Sequence, residues 1–155
     1  MKRIFAIIVA AVLTLTVLTA CGGAKNVNLN DLMKKINDTY GLSGLTTVED
    51  SDNLNRYYRT PKEDVKQFAA EFTKAASDGY TEVVIVEAND ADAAGRVKTQ
   101  LETRLRSQLS DAKSYNAEQV SMIEACSVKE KGNFVWLVIS DKQADINAEI
   151  EKALK

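Results

Sequence analysis

The hydrophobic positions fall into blocks whose spacing changes along the chain, and each change marks a different kind of element. Leu29, Leu32, Met33, Ile36 and Tyr40 recur at the three- and four-residue steps of one helical face. That predicts a helix over 29–40, with Asn28 as N-cap, Val27 placed to staple onto Leu32, and Gly41 as its stop. The run Glu82-Val83-Val84-Ile85-Val86-Glu87 is β-branched and does not alternate, which predicts a central strand covered on both faces. Asn89, Asp90 and Asp92 open a helix of about 20 residues, in which Val97, Leu101, Leu105 and Leu109 form the buried stripe. Lys98, Glu102 and Arg106 are spaced as an i,i+4 charge ladder on its outer side. A short helix follows near Ala117–Met122, with Asn116 and Gln119 spaced as a cap pair.

The stretches Ala125–Glu130 and Phe134–Ser140, joined by Lys131-Gly132-Asn133, predict a β-hairpin in which Gly132 supplies the positive φ of the turn. Its second strand is apolar on both faces. Ser140 and Gln143 are spaced to cap a last helix that buries Ile146, Ile150, Ala153 and Leu154, with Lys152 and Lys155 at its C-terminal dipole. Two segments are less regular. Residues 42–60 carry the turn signals Gly41, Ser43 and Gly44 and the acidic cluster Asp50-Ser51-Asp52-Asn53, and predict an irregular connector with room for a short strand at 45–48. Thr60-Pro61-Lys62-Glu63 reads as a capping box, and Val65, Phe68, Ala69 and Phe72 share a helical face, so local signals predict a helix over 60–77.

The first block is different in kind. Lys2-Arg3, the apolar run Phe5–Val17 and the small residues Thr19-Ala20 make an export signal. Leu18-Thr19-Ala20-Cys21 resembles a bacterial lipobox, which implies cleavage before Cys21 and a diacylglyceryl group on its thiol. The competing reading of residues 4–20 is a retained transmembrane helix, but the run is short for a span of about 20 residues and ends at a small-residue site before Gly22-Gly23. The expected organisation is a signal peptide over 1–20, a lipidated cysteine and tether over 21–27, and one domain over 28–155. Two acyl chains hold a protein firmly on a bilayer, so the expected location is the outer face of the cytoplasmic membrane.

Composition narrows the chemistry. The net charge of −2 becomes −4 without Lys2 and Arg3, 18 basic against 22 acidic residues, which is a poor match for nucleic acid or for an anionic lipid surface. With Cys21 lipidated, Cys126 stands alone, so no internal disulfide forms and the core must stabilise the fold. The chain has no histidine, which excludes histidine-based triads and any Cys–His pair; Cys126 reads as a small core residue. Glu87, Asp90 and Asp92 meet at the strand-to-helix junction and are weak candidates for a hard cation such as Ca²⁺; helix capping is the plainer role. Tyr57-Tyr58 between Arg56 and Arg59 offers a stacking or anion-binding surface, against the plainer reading of half-buried aromatics flanked by solvated cations.

The stretch Thr81–Gln108, "TEVVIVEANDADAAGRVKTQLETRLRSQ", joined downstream to "KEKGNFVWLVIS", resembles the small bacterial lipoproteins of domain of unknown function 4358, found mainly in Firmicutes. The resemblance covers roughly residues 60–155 and carries no established activity or site residues. It implies a short helical turn and then a strand through Phe68–Lys74, so residues 66–76 stand open between helix and strand. The expected fold is α+β, a single antiparallel sheet of about four strands packed with helices in the order α-β-β-α-(α)-β-β-α. The expected function is a membrane-anchored, non-catalytic interaction or accessory module of a cell-envelope complex, with an envelope protein as partner and no cofactor. The alternative is a lipoprotein that binds a small solute, a cell-wall fragment or a cation.

Overall fold

Two strands organise the architecture because neither has a solvent-facing side. The structure is a computed structural model that describes residues 26–155; the export signal, Cys21 and the tether through residue 25 lie outside the described residues. Within it, β3 (Glu82–Ala88) and β5 (Phe134–Ile139) are buried at every position. They pair antiparallel from Glu82 opposite Ile139 to Glu87 opposite Phe134. A strand without a polar face needs cover on both sides, and the remaining elements supply it.

The sheet has five strands in the order β1-β2-β3-β5-β4, all pairs antiparallel, with β1 at Thr46–Thr47, β2 at Val65–Phe72 and β4 at Lys129–Lys131. One face packs against α2 (Ser51–Tyr58), α3 (Ala91–Tyr115) and α4 (Val120–Glu124), burying Val84, Val86, Leu137 and Ile139 with Leu54, Val97, Leu101 and Ile123. The other packs against α1 (Leu29–Tyr40) and α5 (Gln143–Ala153), burying Val83, Ile85, Trp136 and Val138 with Leu32, Ile36, Ile146 and Ile150. The Trp136 indole donates to Asn147 Oδ1 at 2.9 Å, so the largest core side chain leaves no unmet donor.

The α+β expectation holds, and α1 runs over the predicted span, with Asn28 accepting from the Asn30 and Asp31 amides and Gly41 in the left-handed region at φ 66°. Several local readings change. Residues 51–58, read as irregular, form α2, because Asp50 is its N-cap, accepting from the Asn53 amide at 2.8 Å. Residues 60–77 are a 3-10 turn at Lys62–Asp64, then β2, then the start of a second 3-10 turn at Ala76–Asp78, as the family resemblance implied for the turn and strand and the local helical signals did not. A bulge explains the conflict. Between Val65 and Gln67 the pairing with β3 slips by one residue, so Val65 and Phe68 share a face with Ala70 and Phe72, while Ala69 points to the other. That three-residue step imitates a helical spacing within a strand.

The ladder on α3 changes as well. Lys98 reaches Glu130 on β4 at 2.9 Å and Arg106 donates to Thr103 Oγ1 at 2.8 Å, so the expected Lys98-Glu102-Arg106 sequence of pairs is not what forms. Asn116 and Gln119 make no side-chain cap; only the Gln119 amide reaches the Asn116 carbonyl. Gly132 does take φ 58° in the two-residue β4–β5 turn, but the first strand of the hairpin is only Lys129–Lys131, not the expected Ala125–Glu130.

Replacing Asp50 with Ala should cost about 1 kcal/mol in urea unfolding of the soluble domain, the worth of an N-cap. Glu49→Ala, at an exposed neighbour without a cap bond, should stay within about 0.5 kcal/mol of the parent. Equal effects at the two positions would refute the capping role.

Candidate functional site

A strand that is apolar on both faces still carries an acid at each end, and the fold handles the two differently. Glu82 points to the α3 face and is fully buried. Arg104 of α3 meets it with Nη2 at 2.8 Å and Nε at 3.1 Å from Oε2, and Gln108, one turn on, donates Nε2 at 2.9 Å. The guanidinium lies 5.5 Å from the Tyr58 ring centre and 5.6 Å from that of Phe72, so its planar faces are covered by aromatic surface. The Tyr58 hydroxyl is buried without a hydrogen-bond partner, and burial, reinforced by the Glu82 charge, pushes its phenol well above the ordinary value. Burial opposes the Arg104 charge, but Glu82 more than offsets it, and the guanidinium stays ionised.

Glu87, at the other end, points to the α1 face. Because of the bulge in β2, both Lys66 and Gln67 reach it: Lys66 Nζ at 2.7 Å and Gln67 Nε2. A third buried carboxylate, Asp64, ends the 3-10 turn. Arg96 of α3 grips it through Nη2 at 2.6 Å and Nε at 3.0 Å. Those hydrogen bonds hold the Asp64 carboxyl below its ordinary value, against the opposing effect of burial.

The cation candidates are therefore separated by use. Glu87 is committed to Lys66 and Gln67, Asp90 is the N-cap of α3 and accepts from the Ala93 amide at 2.8 Å, and Asp92 is exposed in the first turn. Among the described residues no group of three or more acidic or cysteine side chains is placed to hold a metal ion. The aromatic candidates divide too. Tyr58 is buried, whereas Tyr57 leans on Phe72 with ring centres 4.8 Å apart and has Arg56 at 5.8 Å. Cys126 is buried, its thiol reaches the Met122 carbonyl at 3.2 Å, and burial pushes its pKa up.

Two surface features remain. A groove of about 310 Å³ runs between α1 and the β1–β2 edge, past Asn30, Lys34, Asn37, Thr47 and Glu71. Asn37 Nδ2 donates to Glu71 at 2.7 Å, while Asn37 Oδ1 is buried without a partner. Tyr115, at the C-terminal end of α3, is 81 % exposed and is the one exposed large hydrophobic residue among those described. Sequence reasoning missed Glu82, Arg104 and Gln108 as a unit. The available signal was Leu101, Arg104 and Gln108 on one arc of α3, two polar residues continuing an apolar stripe.

The family described as Domain of unknown function (DUF4358) matches residues 38–140, and the chain belongs to it. A search of the curated proteins found no match, and neither did a search of the solved structures. No helix of the described residues is long and apolar enough to cross a membrane.

Removing one partner of the buried pair leaves the other charge stranded, which typically costs about 3–5 kcal/mol. Arg104→Met should show a loss of that size in denaturant unfolding, and Glu82→Gln combined with Arg104→Met should recover much of it. A double variant no better than the single one would show that the pair is not the source of the loss. For Asp64, a folded pKa below the ordinary 3.8 means that its stabilisation is complete above that value and is lost as pH falls through the depressed one. Asp64→Asn should therefore flatten the acid limb of the stability curve below about pH 4 and leave its slope near neutrality unchanged.

Proposed function

We propose that this DUF4358 member is an extracytoplasmic lipoprotein of Firmicutes type, held to the outer face of the cytoplasmic membrane by a diacylglyceryl group on Cys21, whose domain is a non-catalytic interaction module of a cell-envelope complex. The observation that carries the anchor is the order of Lys2-Arg3, an apolar run, small residues and Cys21 at the head of the chain. The support for an interaction module is how the charges are used. Glu82, Glu87 and Asp64, the buried carboxylates, each face a cation of the fold itself, an arrangement that stabilises rather than reacts. The exposed Tyr115 gives a partner an aromatic side chain of the kind that anchors protein interfaces.

A second reading, a small-ligand binder, has one observation in its favour. The groove beside Asn37 has a volume near the lower end of the roughly 300–1,000 Å³ usual for such sites, and it holds a buried carbonyl oxygen without a partner. Ligand-induced protection of the soluble domain against heating, lost on Asn37→Leu, would favour that reading over a protein partner.

Mass measurement of the N-terminal peptide of mature protein tests the anchor: residues 1–20 should be absent and Cys21 should carry diacylglycerol. A chain lacking residues 1–20 should enter the aqueous phase on detergent partitioning. A mature chain that retains residues 1–20 would overturn the anchor. For the module, a photoreactive residue at position 115 should capture one envelope protein in the native membrane, and the same residue at Asp38 should not.

A further inference from the structure

The C-terminal end of α3 holds more acid than the fold answers. Asp111 stands one turn before the exposed Tyr115 on the same side of the helix, and is itself exposed. Glu118 is exposed in the 3-10 turn Ala117–Gln119 that follows, and Asp78 in the 3-10 turn Ala76–Asp78, which packs against α3. The segments that build this end, residues 73–81 and 107–124, carry the acids Asp78, Asp111, Glu118 and Glu124 against the lysines Lys74 and Lys113. Lys113 is taken by Glu124 at 3.2 Å, which leaves Lys74 facing the other three acids, and none of those three makes an ion pair among the described residues. Of the two arginines just below, Arg104 is committed to Glu82 and Arg106 reaches back to Thr103. The last carbonyls of α3 add partial negative charge at the same place.

A second observation falls on the same spot. Tyr80 is 4 % exposed, and its hydroxyl is buried without a hydrogen-bond partner among the described residues. Burial pushes its phenol above the ordinary value and the charges of Asp111 and Tyr115 push it further, so the three side chains share one neighbourhood. The interior of the protein holds a comparable set with its cation in place: Glu82, the Arg104 guanidinium, and Tyr58, whose ring covers that guanidinium. At the surface the carboxylate and the aromatics are present and the cation is missing. We infer that Asp111, Tyr115 and Tyr80 form a docking site for an arginine side chain of the partner protein, its guanidinium paired with Asp111 and stacked on the Tyr115 ring. Arginine fits better than lysine because a planar guanidinium can fork onto a carboxylate, lie flat on an aromatic face and still have a donor left for the Tyr80 hydroxyl. The unanswered Asp78 and Glu118 favour a partner segment that is basic around that arginine. This inference rests on the interaction-module reading above and adds the chemistry of the partner.

The test titrates the 15N-labelled full chain, in uncharged dodecyl maltoside micelles, with the peptide acetyl-Gly-Gly-Arg-Gly-Gly-amide. Its counterpart with citrulline keeps the shape of the side chain and removes the charge. The arginine peptide should give saturable shifts at the amides of residues 78–80 and 111–118, and the citrulline peptide should give none. Asp111→Asn and Tyr115→Ser, both at exposed positions, should each weaken the arginine peptide about fivefold while the rest of the spectrum stays as in the parent. A lysine peptide should bind more weakly than the arginine one. Equal shifts with citrulline, shifts scattered over the whole surface, or a Tyr115→Ser variant that binds as the parent does would each overturn the inference. Photocapture at position 115 separates it from the reading on which it rests. Capture of an envelope protein without peptide binding overturns the arginine chemistry and leaves the module standing, whereas peptide binding without capture supports the arginine site and overturns the module.

Discussion

The structure depends on a strand pair with no wet side. Because β3 and β5 are buried throughout, the chain has to bring helices to both faces of one sheet, and the helices come from opposite parts of the sequence. α3 and its short neighbours, which lie between strands in the chain, cover one face; α1 and α5, at the two ends of the domain, cover the other. Closing such a sheet leaves nowhere for a charge unless its partner is folded in with it. The acids that bound the apolar run of β3 meet that demand, Glu82 with an arginine and a glutamine from α3, Glu87 with a lysine and a glutamine from the adjacent strand. A buried pair of this kind adds little net stability over an apolar equivalent, yet it penalises any register that separates the partners. In β3, a slip of one residue would move both carboxylates to the opposite faces.

How much of this was legible follows from whether the determining contacts were local. α1, β3, α3, the β4–β5 hairpin and α5 were readable because their turns and apolar steps lie within a few residues of each other. The expected Ser140–Gln143 cap of α5 does not form, however: Lys142 is its N-cap and makes no side-chain cap bond. Asp50 was readable in principle as an N-cap, but the acidic residues around it resemble a loop, and α2 has only Leu54 and Tyr58 to mark its buried side. In β2 the bulge shifted the phase of alternation, and no residue there announces a bulge without its partner strand. The Glu82 cluster spans more than twenty residues of sequence, and Gln67 reaches back forty to Val27. Long-range polar contacts of this kind leave no periodic trace. Among the candidate sites, Glu87, Asp90 and Asp92 are close in sequence but part in the fold, because a strand end, a cap and a first helical turn send them to Lys66 and Gln67, to the Ala93 amide and to the solvent-facing side of α3.

The span of the family match sharpens the role of the terminal helices. Residues 38–140 include all five strands, α2, α3 and α4, but only the last three residues of α1 and none of α5. The matched stretch thus holds the whole sheet and the cover of one of its faces. In this chain the other face presents Val83, Ile85, Trp136 and Val138, and α1 and α5 bury it. Exposed, that row of side chains would be an apolar surface of the sort that drives association. The two helices are therefore structural necessities. They are also tied to each other, since Tyr40 donates to the Asp145 carbonyl at 3.1 Å and Lys142 to the Tyr40 carbonyl at 2.9 Å. The N-terminal end of α1 is fixed to the sheet twice over, by the Gln67 hydrogen bonds to Val27 and Leu29 and by the hydrophobic contacts of Leu29, Leu32, Met33 and Ile36.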